Sequence, residues 1–269
     1  MVSPINEAIF LGIVHGVAEF LPLSSAGHLA LAELLFKLRG GPGYDLVLRT
    51  ATLLTTVLVI GPTLGSALRD GARGLLHPSR LGETTGGRDA LVILVASAPS
   101  VLIGFALRAP VERWAQNPLA IGLGFLGTTT ALALAHFSGP GERDQPTYAG
   151  ALLLGVAQGL SVLPGLSRIG ATLAVALLLG VRSVRAFELS LLVSLPALLA
   201  AFVLEARHGL LTPTPGAGAL VAGLVALGAG VGAARLLGRL VERGHLVWFA
   251  FWVGPLALAT MAMGLAWPA

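Results

Sequence analysis

Cysteine is absent from the 269 residues, which excludes disulfides, thiolate metal sites and a cysteine nucleophile. Charge is scarce as well: Asp, Glu, Lys and Arg together make up 11% of the chain, against roughly 25% in soluble domains. Lysine occurs once, as Lys37, so the net charge of +4 is carried almost wholly by arginine. There is no phosphate-loop motif, no dinucleotide glycine fingerprint and no paired-histidine metalloprotease motif. The N-terminal M-V-S-P-I-N-E-A lacks a basic region ahead of its apolar run and a small-residue cleavage site after it, so it reads as mature sequence rather than a signal peptide.

What remains is apolar. Hydrophobic residues make up 55% and the mean hydropathy is +0.85, too high for a soluble domain of this length. The chain reads as an all-α polytopic membrane protein and as a single membrane domain over residues 1–269. Its arginines lie mostly between apolar runs, which suits lipid headgroups and ordinary loop charge; no nucleic-acid partner is expected. The 36 glycines scattered through the apolar runs indicate close helix packing.

Six stretches are long and clean enough to span a bilayer: Leu46–Leu68, Ala90–Leu107, Leu119–Phe137, Ala186–Leu204, Gly216–Leu237 and Leu246–Trp267. Two further apolar regions, Ile5–Phe36 and Tyr148–Leu179, are broken in the middle by Pro, Gly, Ser and charged residues. Interrupted backbone at membrane depth is tolerated where it lines a cavity, so each is expected to form a re-entrant pair of short helices. The two broken regions echo each other. G-I-V-H-G followed by L-P-L-S-S-A-G returns as G-V-A-Q-G followed by L-P-G-L-S-R-I-G. Three spans follow each, which gives an inverted repeat with halves at about 1–138 and 147–269 and points to a site near the midplane. If the Arg69–Arg88 loop is cytoplasmic, that side collects Arg69, Arg73, Arg80, Arg88, Arg143, Arg182, Arg185, Arg235, Arg239 and Arg243. The other side holds only Lys37, Arg39, Arg108, Arg113 and Arg207, and this bias places both termini outside.

The breaks carry the reactive side chains. Ionisable groups are costly at bilayer depth, which makes Glu19, His28 and Arg168 functional candidates. Ser25 with His28 three residues on could form a nucleophile and base pair on one helical turn. Ser24 reads first as a helix N-cap. Arg168 follows Pro164-Gly165 at a helix start, where the unpaired N–H groups and the dipole favour an anion and the guanidinium can bind phosphate with two bonds. Ser167 and Thr172 add hydroxyls. The alternative for Arg168 is a packing pair with Glu188. His15 and Gln158 hold matching positions and could bond across the repeat interface.

At A-E-F-L-P-L-S-S-A-G-H, Ala18 to His28, and P-G-L-S-R-I-G-A-T, Pro164 to Thr172, the chain resembles the undecaprenyl-diphosphate phosphatase family, the bacitracin-resistance type of membrane phosphatase. Weaker matches, Y-D-L-V-L-R-T-A-T and F-E-L-S-L-L-V-S-L-P, extend the resemblance over nearly the whole chain. It implies hydrolysis of undecaprenyl diphosphate to undecaprenyl phosphate and inorganic phosphate. That reaction recycles the lipid carrier for peptidoglycan and wall synthesis and confers bacitracin resistance. It also implies a bacterial inner-membrane location with the site on the extracytoplasmic side, and a fold of six spans with two re-entrant pairs. Carried over, Glu19 helps hold a divalent cation, magnesium or calcium. Ser25 is the nucleophile or positions it, His28 is general acid or base, and Arg168 clamps the diphosphate. Ser24, Gly165, Ser167 and Thr172 contact substrate. A homodimer is one arrangement left open. The chain departs from the family at His15, where a second Glu or Gln is usual; at Ile169, where Ser is usual; and at Arg49, where Gln or His is common. A lone carboxylate makes a poor site for a hard cation, so His15 is a doubtful metal ligand. Two other readings share the architecture: a lipid or small-molecule transporter, and a diverged phosphatase for another lipid diphosphate.

Overall fold

The computed structural model describes residues 4–37, 44–139, 141–209 and 216–266. Among these residues the chain is all helix, with no β-strand and a lone bridge between Arg143 and Val181. Six helices are long and apolar enough to cross a membrane: α3 (Tyr44–Leu76), α4 (Thr85–Ala106), α6 (Pro118–His136), α9 (Ser183–Gly209), α10 (Ala217–Glu242) and α11 (Val247–Leu265). They coincide with the six expected spans, and several run past the apolar limits. The helical hydrogen-bond ladder does not stop where hydropathy does, so α3 continues through Arg69 and Arg73, and α10 through Arg239. Trp267, expected at the end of the last span, lies outside the described residues. A seven-residue helix, α5 (Arg108–Trp114), fills a connection that the hydropathy pattern leaves blank.

Each broken segment folds as two short helices: α1 (Pro4–Phe20) with α2 (Ser25–Phe36), and α7 (Tyr148–Leu160) with α8 (Arg168–Leu178). At 1.5 Å per residue, α2, α7 and α8 are each ~20 Å or shorter, too short for a ~30 Å hydrocarbon core. The breaks are chemical. Pro22 has no N–H to continue the first helix, and Ser24, at φ 69°, caps α2 by accepting from Gly27 N at 3.3 Å. In the second segment Gly165 turns the chain at φ 90°, and Ser167 caps α8 by accepting from Gly170 N at 3.1 Å. The N-cap reading of Ser24 is thus what the structure contains.

The halves pack by exchange: α1 lies along α10, α7 lies along α4, and α6 and α11 lie together. The echoed glycines explain the first two contacts. A Cβ on Gly12 or Gly16 would sit 2.5 or 2.4 Å from the Ala222 or Ala226 carbonyl, and one on Gly155 would sit 2.1 Å from the Ala96 carbonyl. Small residues one turn apart let helix backbones approach this closely in a bilayer. The turn at Gly165 is tied to α6, where the Thr128 hydroxyl donates to the Gly165 carbonyl at 2.7 Å and accepts from Ser167 N at 2.7 Å.

Gly165→Ala combines a forbidden φ with a Cβ 2.2 Å from the Ile121 carbonyl, so it should destabilise the protein by about 2 kcal/mol or more. Gly228→Ala, which meets nothing within 4 Å in α10, should be neutral or stabilising by up to ~1 kcal/mol. Thermal unfolding of the two variants in one detergent checks the contrast.

Candidate active site

Three helix ends meet where the broken segments approach. Glu19 stands in the last turn of α1, Ser25 is the first residue of α2 and Arg168 the first of α8. The Glu19 carboxylate joins them: Oε2 accepts from the Ser25 hydroxyl, and Oε1 accepts from Arg168 Nη2 at 2.5 Å. The Glu19 and Arg168 side chains are each only 16% exposed. A charged hydrogen bond this sheltered is stronger than a surface pair, and removing either partner leaves an uncompensated buried charge. The packing pair of Arg168 with Glu188 is not formed. Glu188 binds Arg185 and accepts from the Thr63 hydroxyl at 3.1 Å instead, because both belong to a separate knot around buried Asp89.

Around this bridge the other expected residues take different positions. His28 lies one turn along α2 from Ser25 but does not bond to it. Its Nδ1 is 3.0 Å from the Ser24 carbonyl, its Nε2 is 3.3 Å from Trp252 Nε1, and its ring meets Phe125 edge-on at 5.2 Å. The Ser25 and His28 spacing therefore places both on one turn, while Glu19 is the group that receives the serine hydroxyl. Ser24 and Ser167 are buried caps, and the Gly165 carbonyl is held by Thr128. Thr172 is fully buried, with its hydroxyl on the Arg168 carbonyl at 2.9 Å and against Ser190 Oγ at 2.5 Å. Arg49 is exposed and lies 3.9 Å from Glu205.

His15 sits one turn before Glu19 on α1. Its Nε2 meets Thr52 Oγ1 at 3.0 Å, so it does not bond to Gln158, and its Nδ1 is buried without a partner. Magnesium and calcium want six or more oxygens. Here Glu19 supplies one carboxylate with both oxygens already bonded, His15 supplies nitrogen, and among the described residues no three His, Asp or Glu side chains gather as a metal set. The donors do not fit a cation held by the protein alone.

Four residues belong to the site that sequence reasoning passed over: Thr52, Phe125, Thr128 and Trp252. The threonines lie in T-A-T and G-T-T-T runs, whose polarity inside an apolar span is the signal that could have marked them. Phe125 and Trp252 are ordinary apolar residues of a span and carry no local signal.

Taken together, the site offers a serine hydroxyl hydrogen-bonded to a carboxylate, an imidazole one turn away, and an arginine at a capped helix start. Two helix N-termini converge on it, each favouring an anion. That is a set for transferring a phosphoryl group by positioning and charge neutralisation.

The known proteins agree in character. The profile of the family described as "Bacitracin resistance protein BacA" matches residues 8–259. Undecaprenyl-diphosphatase of Treponema denticola is 33% identical over 259 residues, covering 94% of this chain and 95% of that protein. Undecaprenyl-diphosphatase of Desulfosudis oleivorans is 33% identical over 273 residues, covering 96% and 98%. The protein of the same name from Parabacteroides distasonis is 29% identical over 267 residues, covering 96% and 98%. With the profile spanning most of the chain and relatives aligned end to end, this membrane protein belongs to the BacA bacitracin resistance protein family.

Proposed function

We propose that the protein hydrolyses undecaprenyl diphosphate to undecaprenyl phosphate and inorganic phosphate, the activity named in its relatives. The observation that carries the reading is the Glu19 carboxylate held between the Ser25 hydroxyl and Arg168. A transporter has no need for that triad.

In the resting site Arg168 pays its charge to Glu19. An incoming diphosphate competes for the guanidinium, whose planar fork matches phosphate oxygens. As Arg168 turns to the phosphate, Glu19 becomes free to take the Ser25 proton. Ser25 Oγ bonds to the outer phosphorus, the bridging P–O bond breaks, and polyprenyl phosphate leaves as an anion. A water then attacks the phosphoserine, giving its proton to His28 Nε2. The P–Oγ bond breaks, Ser25 recovers its proton from Glu19, inorganic phosphate departs, and His28 releases the water's proton to solvent to regain its base form. The two helix starts and Arg168 face the charge that builds on the equatorial oxygens. The polyprenyl tail stays in lipid throughout.

The reciprocal packing of α1 on α10 and α7 on α4 supports an inverted repeat with re-entrant pairs. The arginine bias supports an orientation with both termini outside; the bacterial inner membrane and a site open to the extracytoplasmic side are part of this reading through the resemblance. Bacitracin resistance follows from removing the diphosphate form of the carrier. Magnesium or calcium, expected by resemblance, would in this reading be held largely by the substrate's phosphates and would supply further charge neutralisation.

Ser25→Ala should abolish release of inorganic phosphate from undecaprenyl diphosphate by the purified protein in detergent. Unchanged release would sink the reading. Arg168→Ala should lower kcat/KM by ~10³-fold, and Arg168→Lys should recover only part of it, because a point charge lacks the fork. His15→Glu adds a second carboxylate one turn from Glu19. It should raise magnesium stimulation of phosphate release and produce measurable magnesium binding by calorimetry, where the native chain shows little.

A further inference from the structure

The hydrogen bonds around His28 leave only one assignment of its proton. The Ser24 carbonyl can only accept, so Nδ1, 3.0 Å away, carries the hydrogen. The Trp252 indole N–H can only donate, so Nε2, 3.3 Å away, offers its lone pair. Both bonds hold together only in the neutral Nδ1–H tautomer, since an imidazolium would set two N–H groups against each other at Nε2. The Phe125 ring, its centre 5.2 Å from that of the imidazole and its plane at 77° to it, fixes the plane of the ring. Trp252 is itself held in place by its neighbour Val253, which is fully buried in a cluster with Leu31, Ile121, Phe125 and Ala257 that packs α2, α6 and α11 together.

Trp252 is 61% exposed on the outer face of α11, beside Trp248 and Phe251. Interfacial tryptophans commonly anchor a helix to the headgroup layer. The neighbouring Trp248 fits that role: it stacks on His245 at 4.4 Å and does not touch the site. Trp252 differs because its N–H points to a group of the site itself.

We propose that Trp252 is a positioning residue for hydrolysis. Its indole N–H fixes His28 in the Nδ1–H tautomer and keeps the Nε2 lone pair aimed toward α11. The arriving diphosphate and its water displace the indole, and His28 then meets the water already in the base form. This rests on the reading that His28 serves phosphate release. A second-sphere partner that sets tautomer and ring orientation acts on the chemical step more than on substrate binding.

The test compares Trp252→Phe, Trp252→Gln, Trp248→Phe and His28→Asn with the native protein in the phosphate-release assay. Nitrogen chemical shifts of ¹⁵N-histidine-labelled protein are read alongside, with His28 assigned from the spectrum of His28→Asn. Trp252→Phe should lower kcat by ~10-fold with KM within about twofold, and should turn His28 from a single tautomer into a mixture. Trp252→Gln, which keeps an N–H donor, should recover part of kcat and restore the Nδ1–H tautomer. Trp248→Phe should match native protein in both. Native kcat and an unchanged His28 signal in Trp252→Phe would overturn the proposal, as would a loss confined to KM. Full activity in His28→Asn would remove His28 from the reaction and overturn it by a separate route.

Discussion

A carboxylate inside a bilayer must be paired, and the pairing of Glu19 organises this molecule. Burying an unpaired ion costs several kcal/mol. Here its two hydrogen-bond donors come from different halves of the chain: the Ser25 hydroxyl from the first broken segment and the charge-neutralising Arg168 from the second. Neither half can satisfy Glu19 alone. The two turns must therefore be brought together in one register, and the remaining structure does that. Ser24 and Ser167 stop the helices at fixed residues, Thr128 clasps the second turn to α6, and glycines on α1 and α7 let those helices seat on the opposite half.

In the proposed mechanism the same pairing lets a stable resting site also be reactive. Exchanging Glu19 for a phosphate at Arg168 trades one anion for another, so the guanidinium is never left bare in a low-dielectric setting. What changes is Glu19, which loses its cation and gains basicity at the moment the substrate is in place. A base that is quiet without substrate and active with it needs no separate switch. It does need Arg168 to sit at the start of a helix, where the dipole favours both anions in turn.

Much of this was legible in the sequence, for identifiable reasons. The six spans follow from apolar length alone. The breaks follow from Pro22, Pro164 and Gly165, whose backbone chemistry is local. Glu19, Ser25 and Arg168 stand out because polar residues are rare in such surroundings. Partners were harder. Spacing put Ser25 with His28, since i and i+3 share a helix face, yet the turn at Ser24 folds α1 back so that Glu19 is the nearer acceptor. Glu188 was a reasonable mate for Arg168 by composition and is claimed by Arg185 through tertiary contact. Trp252 was invisible, because a tryptophan in a span looks like an interfacial anchor until its N–H is seen to end on His28.

The chain holds a second buried arginine knot, and the contrast shows what makes the first one a site. Arg185 binds Asp89 at 2.5 Å, with Gln145 on the same oxygen at 2.5 Å and Glu188 on the other side of the guanidinium. Asp89 is fully buried and Arg185 is 11% exposed, so the two knots are comparably sheltered. Burial therefore does not distinguish them. The Arg185 knot ties the starts of α4 and α9 to the segment before α7, all continuous backbone. It also holds two carboxylates for one arginine, which repels an anion. The Arg168 knot has one carboxylate, two capped helix starts aimed at it, and a hydroxyl whose proton already points at the base. An arginine with a single removable counter-charge can accept a phosphate; one hemmed by two acids can only hold the bundle together.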